Sequence, residues 1–218
     1  GITEIGQLFF LNQIAVESIQ LPKGLLKIGG SAFRGCSKLK SITLPSTVIS
    51  LDYHPFLGCL SLTDVFVEEG SETYKSIDGN LYSKDGKIFV YHPQAKRDKS
   101  FVIHDEIEEI KYAAFVGSSY LESVHIGKNV KTIKQTPFFS CSNLKTIIID
   151  EENQYFEIVD DVLFNKNKTT LVSYPNGKED TVYIIPSTVT TIQNSAFRDD
   201  KHLETLVLPS SITSIGTY

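Results

Sequence analysis

Apolar residues recur along this chain in a fixed order, and the stretch from Ile28 to Pro45, IGGSAFRGCSKLKSITLP, shows that order in full. An Ile-Gly pair is followed by a Phe five residues after the Ile, a Cys three further on, a Leu three beyond that, and then Ile, Leu and Pro. The last apolar residue of each copy is Leu21, Leu44, Val67, Ile103, Ile126, Ile149, Ile185 and Leu208, at spacings of 23, 23, 36, 23, 23, 36 and 23. A unit of this size cannot bury its own apolar side, so neighbouring units must stack to make a core. The pattern predicts a solenoid in unbroken register from Ile5 to Ile215, forming one domain over residues 1–218.

Each unit ends in a run such as LKSITL, whose period-two apolar spacing predicts a short parallel strand with one face buried. The middle piece, SAFRGC, starts with Ser and ends at Gly-Cys. It predicts a single helical or 3₁₀ turn, with Phe33 plugging the interior. Phe56, Phe115, Phe138 and Phe197 repeat that plug and are expected to be buried in equivalent places. The first unit carries Ile5, Phe10, Val16, Ile19 and Leu21-Pro22, with Gln13 in the Cys position, and is expected to pack as an ordinary turn.

Two longer units, within 68–103 and 150–185, align with each other without a gap. Asp78 matches Asp160, Leu81 matches Leu163, Val90 matches Val172, Pro93 matches Pro175 and Asp98 matches Asp180. Each holds two apolar runs around a turn signal, NLYSKDGKIFVY and VLFNKNKTTLVSY, which predicts a β-hairpin. Residues 76–91 and 158–173 are thus expected to form two antiparallel strands each, projecting from the same side. Gly86 and Asn167 are the residues able to take a positive φ in the two turns. The chain has a higher-order repeat of 82 residues, the distance from Ile103 to Ile185. Insertions in solenoids usually share one face and often serve binding.

The stretches LPSTV, TTIQNSAF, IGGSAFRGCSKLKSITLP and LPSSITSIG resemble the leucine-rich repeats of the BspA type, and DGNLYSKDGKIFVYHP is similar to that family's long repeats. The resemblance covers practically the whole chain. It implies a leucine-rich repeat solenoid of β-rich α/β character, a right-handed superhelix with a parallel sheet on the concave side. It also implies a secreted or surface-anchored protein of bacteria or protists that adheres to host matrix proteins or to other cells. It carries over no catalytic set, because the family has none to share.

Composition narrows the alternatives. With 41% apolar and 22% charged residues, the 218-residue chain can build a substantial core. A net charge of −5 and no basic run longer than Lys96-Arg97 plus Lys99 speak against nucleic acid as a partner. No apolar run approaches the roughly 18 residues needed to insert into a membrane. The start GITEIGQLFFLNQ has no Met and no basic leader, and Tyr218 falls inside a repeat, so a longer natural protein is expected. Cys36, Cys59 and Cys141 share one slot of the repeat, which Gln13, Ser118 and Asp200 fill elsewhere. That placement reads as buried free thiols, with a Cys36–Cys59 bridge between adjacent turns as the alternative.

Candidate chemistry is sparse, and the pattern calls for no cofactor and no metal. Ser37–Lys40 and Ser142–Lys145 have serine–lysine spacing, but other repeats place Glu122 or Glu204 at the Lys position, and Asp64 stands beside it in a third. The five histidines lack metal-ligand spacing, and the acidic clusters lack the order of a calcium loop. Asn167-Lys168-Thr169 has the pattern of a glycosylation sequon. Side chains alternate across a strand, so the residue before the last apolar position should face outward: Gln20, Thr43, Phe66, Val102, His125, Ile148, Ile184 and Val207. From Phe66 onward this row is mostly apolar, and at strand spacing it would make a stripe about 25 Å long. A row of mainly Ser and Thr runs beside it. Phe66, Val102, His125, Ile148, Ile184 and Val207 are therefore the candidate contact residues for a protein partner, an extracellular matrix or cell-surface protein. Other readings stand beside this one: β-propensity alone accounts for the row, the chain is a spacer that presents another domain, or it is an enzyme with a split site in the hairpins, with His92 and paired acidic residues in its favour.

Overall fold

The structure, a computed structural model, describes residues 1–217. It is a β-solenoid of about nine turns built from short parallel sheets. Strands on the first face are Ser41–Leu44 and Asp64–Val67, then Ser100–Ile103, Ser123–Ile126 and Thr146–Ile149, then Val182–Ile184 and Thr205–Val207. Two-residue strands make a second set, including Glu4–Ile5, Lys27–Ile28 and Ser50–Leu51, with Ile5 and Ile28 buried and Leu51 half-buried. Parallel register keeps equivalent residues side by side: Ile42 pairs with Val65, and Phe101 with Val124 and Ile147. The first unit packs its Phe10 and Ile19 against the core but gives no strand to the first face.

The expected helical turn is not there; among the described residues no α- or 3₁₀-helix forms. In the SAFRGC segment alternate N–H groups have different destinations. Ala32, Arg34 and Cys36 donate locally to the carbonyls of Gly29, Ser31 and Phe33, whereas Ser31, Phe33 and Gly35 donate to Tyr53, Pro55 and Leu57 of the next coil at 2.8–2.9 Å. A helix would claim all of these donors for its own carbonyls and leave the neighbouring coil unpaired. Backbone geometry enforces the split. Each regular coil turns through a left-handed residue two positions before its plug (Leu8, Ser31, His54, Ala113, Thr136, Ser195) and a second two positions after it (Asn12, Gly35, Gly58, Gly117, Ser140, Asp199). Such a conformation costs a non-glycine residue roughly 1–2 kcal/mol, and no helix continues through it. The α/β description therefore gives way to an all-β one.

The plugs stack along the solenoid. Phe10, Phe33 and Phe56 lie 5.2 and 5.7 Å apart, and Phe115 and Phe138 are 5.3 Å apart. Phe33, Phe56, Phe115 and Phe138 are buried as expected, whereas Phe197 is only half-buried. In the long units the slot is taken by residues the pattern did not identify. His92 sits 5.5 Å from Phe115, and Tyr174 sits 5.2 Å from Phe197.

Each long unit forms a three-stranded antiparallel meander rather than a two-stranded hairpin: Tyr74–Ile77, Asn80–Ser83 and Ile88–Tyr91 in one, Phe156–Val159, Val162–Asn165 and Thr170–Ser173 in the other. The additional turn is Asp78-Gly79 in the first copy and Asp160-Asp161 in the second, all at positive φ, which suits a two-residue hairpin connection. Gly86 adopts φ +80° in the following turn as expected. In the second copy it is Lys168 at +57°, the direct counterpart of Gly86, and not Asn167, that takes the positive φ. In both copies the last meander strand joins the second set of sheets and the first packs beside the preceding strand of the first face.

Across the long units a side chain replaces the backbone in the lateral ladder. Gln94 accepts from Gly58 N at 3.0 Å and donates to Val116 O at 2.8 Å, joining the coils on either side. A Cβ on Gly117 would lie 2.4 Å from Gln94 Nε2, so glycine is required for that approach. Asn176 donates to Arg198 O in the second copy.

Two outcomes follow. Truncating Phe115 to Ala should destabilise the fold by about 3–5 kcal/mol, as for other buried aromatics, and chemical denaturation would show no loss if the stack were not a core. Gln94→Leu keeps the volume but strands the Gly58 N–H and the Val116 carbonyl. It should cost about 2–4 kcal/mol in the same measurement, at about 1–3 per buried unpaired group less relaxation.

Candidate interaction surface

Strand pleat decides which side chains reach solvent. Along Ser123–Ile126, Val124 and Ile126 are buried while Ser123 and His125 face outward. Phe66, Val102, Ile148, Ile184 and Val207 are 43–67% exposed and His125 is half-buried, so the six candidate residues all lie on the outward side of their strands. Register places Val102, His125 and Ile148 side by side, with Ser100, Ser123 and Thr146 as a parallel polar row. Ile184 pairs with Val207, and Phe66 with Thr43.

The row is nevertheless not the continuous stripe that its sequence spacing predicts. Strand Asp64–Val67 is not paired with Ser100–Ile103, nor Thr146–Ile149 with Val182–Ile184. A meander intervenes at each break: Val65 N donates to Gly79 O at 2.9 Å, and Ser76 Oγ donates to Val65 O at 2.7 Å. The outward row is thus three separate patches, of which Val102–His125–Ile148 is the longest.

The Ser-x-x-Lys patterns have an electrostatic explanation. Lys40 Nζ reaches Glu17 of the preceding coil at 2.7 Å, and Lys145 bridges to Glu179, so each Lys is engaged in an ion pair between coils. The cysteines are buried free thiols. Each donates across one coil, Cys36 to Phe10 O, Cys59 to Phe33 O and Cys141 to Phe115 O, at 2.9–3.2 Å. Burial pushes the Cys59 and Cys141 thiols up to about 12, which removes them from thiolate chemistry at neutral pH.

Sequence reasoning missed one constellation. Ser118, which occupies the cysteine slot, lies 2.9 Å from His92 Nδ1, and His92 Nε2 lies 3.5 Å from Asp98 Oδ2. The residue types match a hydrolytic triad, but both Ser118 and His92 are fully buried, so no substrate carbonyl can reach the hydroxyl. The pair is the polar version of the Cys-to-plug contact, at the same separation of 26 residues. Its only signal in the sequence was that His92 and Ser118 fill the plug and cysteine slots.

Burial against Phe101 and Phe115 outweighs the Asp98 carboxylate and pulls the His92 imidazole down to about 4. An unfolded His titrates near 6.5, so the unfolded chain takes up this proton first as the pH falls. The resulting loss of stability begins near pH 6.5 and levels off near pH 4, with a slope of up to about 1.4 kcal/mol per pH unit between. His92→Gln should flatten that part of the stability–pH curve, and an unchanged slope would show that His92 is not held neutral.

Relatives place this architecture. The profile described as "BspA type Leucine rich repeat region" matches residues 3–89 and 94–218 in six copies. The fold is similar to a leucine-rich repeat protein from Eubacterium ventriosum, with a TM-score of 0.56 and 25% identity over 93% of this chain and 50% of that one. The pneumococcal vaccine antigen PcpA gives 0.53 and 27% over 99% of this chain and 45% of the other. A leucine rich cell surface protein from Faecalibacterium prausnitzii gives 0.53 and 25% over 98% and 60%. The chain therefore spans about half the length of these proteins. No curated protein matches it significantly. With the repeat profile matched along nearly its entire length, the chain belongs to the BspA-type leucine-rich repeat family.

Proposed function

We propose that this chain is a non-enzymatic protein-binding module of a secreted or surface-anchored protein, acting in adhesion to host matrix or to other cells. The observation that carries the reading is the outward row. Phe66, Val102, Ile148, Ile184 and Val207 are large apolar side chains held in solvent by rigid strands, with His125 among them. An apolar patch bordered by Ser and Thr hydroxyls has the composition of a protein contact surface. Leucine-rich repeats of this type generally serve protein interaction, and one similar structure is that of a leucine rich cell surface protein. Because the row lies in three patches, a partner would engage it through several small contacts, each on a separate stretch of sheet.

The double variant Phe66→Asp, Ile148→Asp tests this reading. Both side chains point outward, so the thermal midpoint should move by no more than a few degrees. Binding to immobilised extracellular matrix proteins, or to whole cells, should fall at least tenfold. Retention of parental binding by the folded variant would remove the outward row as the contact surface.

A further inference from the structure

Where the first meander interrupts the first face, it leaves a groove of ≈ 630 Å³ whose lining mixes polar side chains, Lys75, Asp78, Asn80 and Asp98, with apolar ones such as Tyr82 and Val102. One wall is strand Ser100–Ile103, which pairs with Ser123–Ile126 and, among the described residues, has no strand on its other side. Hydrogen bonds identify which groups face the groove. Glu122 N and Ser123 N donate to Lys99 O, and Gly127 N donates to Ile103 O, so the odd-numbered residues point at the paired neighbour. In a strand the next residues point the opposite way, which turns the N–H and C=O of Ser100 and Val102 toward the groove. A second, independent feature is Asn80. It is 4% exposed, lines the groove, and its Oδ1 has no hydrogen-bond partner among the described residues. A buried carboxamide oxygen left unpaired is costly, so a ligand donor or an ordered water is favoured there.

The second 82-residue copy carries ion pairs at the same place. Lys178 bridges Asp161 and Asp180 at 3.1 and 3.0 Å, and Lys168 pairs with Glu157 at 2.9 Å. In the first copy the counterparts of Asp161, Lys168 and Glu157 are Gly79, Gly86 and Lys75, and Val162 is replaced by Asn80. Lys96, the counterpart of Lys178, comes no nearer than 4.0 Å to Asp98. The charges that bridge one site are missing from the other, or reach each other there only at 4.0 Å.

The geometry points to this groove as the docking site for an extended peptide segment of a partner protein, added as a strand along Ser100–Ile103. This assignment rests on the reading of the chain as a protein-binding module. An open strand edge offers donors and acceptors at the repeat of a polypeptide backbone, which a peptide matches and a sugar ring does not. Lys75 and the carboxylates of Asp78 and Asp98 surround the bound backbone with both signs of charge, and Asn80 supplies a carboxamide able to accept and donate.

Panning the folded chain against phage-displayed random dodecapeptides, with one selected peptide then made synthetically, tests the assignment. That peptide should slow amide hydrogen exchange at Ser100 and Val102. Its affinity should fall at least tenfold in Asn80→Val, Gly86→Lys, which gives the groove the residue types of Val162 and Lys168 in the second copy and narrows it with a larger side chain. A Cβ at Gly86 meets only the flexible end of Lys75, and Lys168 in the second copy shows that a lysine takes the positive φ of this position, at the usual conformational cost of a left-handed residue. Ser100→Pro, which removes one edge N–H, should weaken binding similarly while an edge strand tolerates it, and provides the test if the double variant does not fold. Peptide binding should survive Phe66→Asp, Ile148→Asp, which separates failure here from failure of the outward row. The assignment is overturned if no peptide is enriched, if binding ignores these substitutions, if protection appears elsewhere, or if the groove residues control binding on an oligosaccharide array instead.

Discussion

Where one regular coil follows another, as in the coils of Phe10, Phe33 and Phe115, every second backbone N–H of the plug segment is committed to the next coil. Most of the structure is a consequence of that commitment. Where Phe33 N donates to Pro55 O and Phe115 N to Pro137 O, the segment cannot also close into a helix. Left-handed residues on either side of the plug aim the donors sideways, at a conformational cost that the lateral bonds and aromatic burial offset together. The strands supply a ladder on one side of each coil and the plug segments supply another. A coil is therefore held to its neighbour along two lines, with the aromatic stack between them.

The long units show what happens when a coil leaves the register. Its plug becomes His92 or Tyr174, and the backbone rung beyond the plug is replaced by a side-chain amide from Gln94 or Asn176. Gln94 bonds in both directions and so carries the ladder across a coil whose own backbone has moved away. The meander occupies the gap beside the first face and divides a surface that would otherwise be one long sheet. The same division leaves strand Ser100–Ile103 with an open edge and separates Phe66 from Val102.

Polar residues in the interior mark repeat slots more than chemistry. Ser118 and His92 have the right types for catalysis, yet their placement follows from the rule that residue i contacts residue i−26 across coils, as Cys59 contacts Phe33. Burial keeps His92 neutral near physiological pH and the thiols protonated, so these groups contribute packing and hydrogen bonds.

The sequence by itself determined the repeat, the first-face strands from Ser41–Leu44 onward and the outward position of Phe66, Val102, His125, Ile148, Ile184 and Val207. Each of these depends on periodicity, and period-two alternation together with a 23-residue register leaves little freedom. The tertiary structure alone decided the rest. Whether SAFRGC curls into a helix or lends its N–H groups sideways depends on a neighbouring coil that no local window contains, and the Ser that opens the segment suits either outcome. The Asp78-Gly79 turn was legible as a pair of residues, but its role appeared only when Tyr74–Ile77 found Asn80–Ser83. Continuity of the outward row failed for the same reason: equal spacing in sequence fixes which way a side chain points, whereas adjacency in space requires that the two strands be hydrogen-bonded to each other.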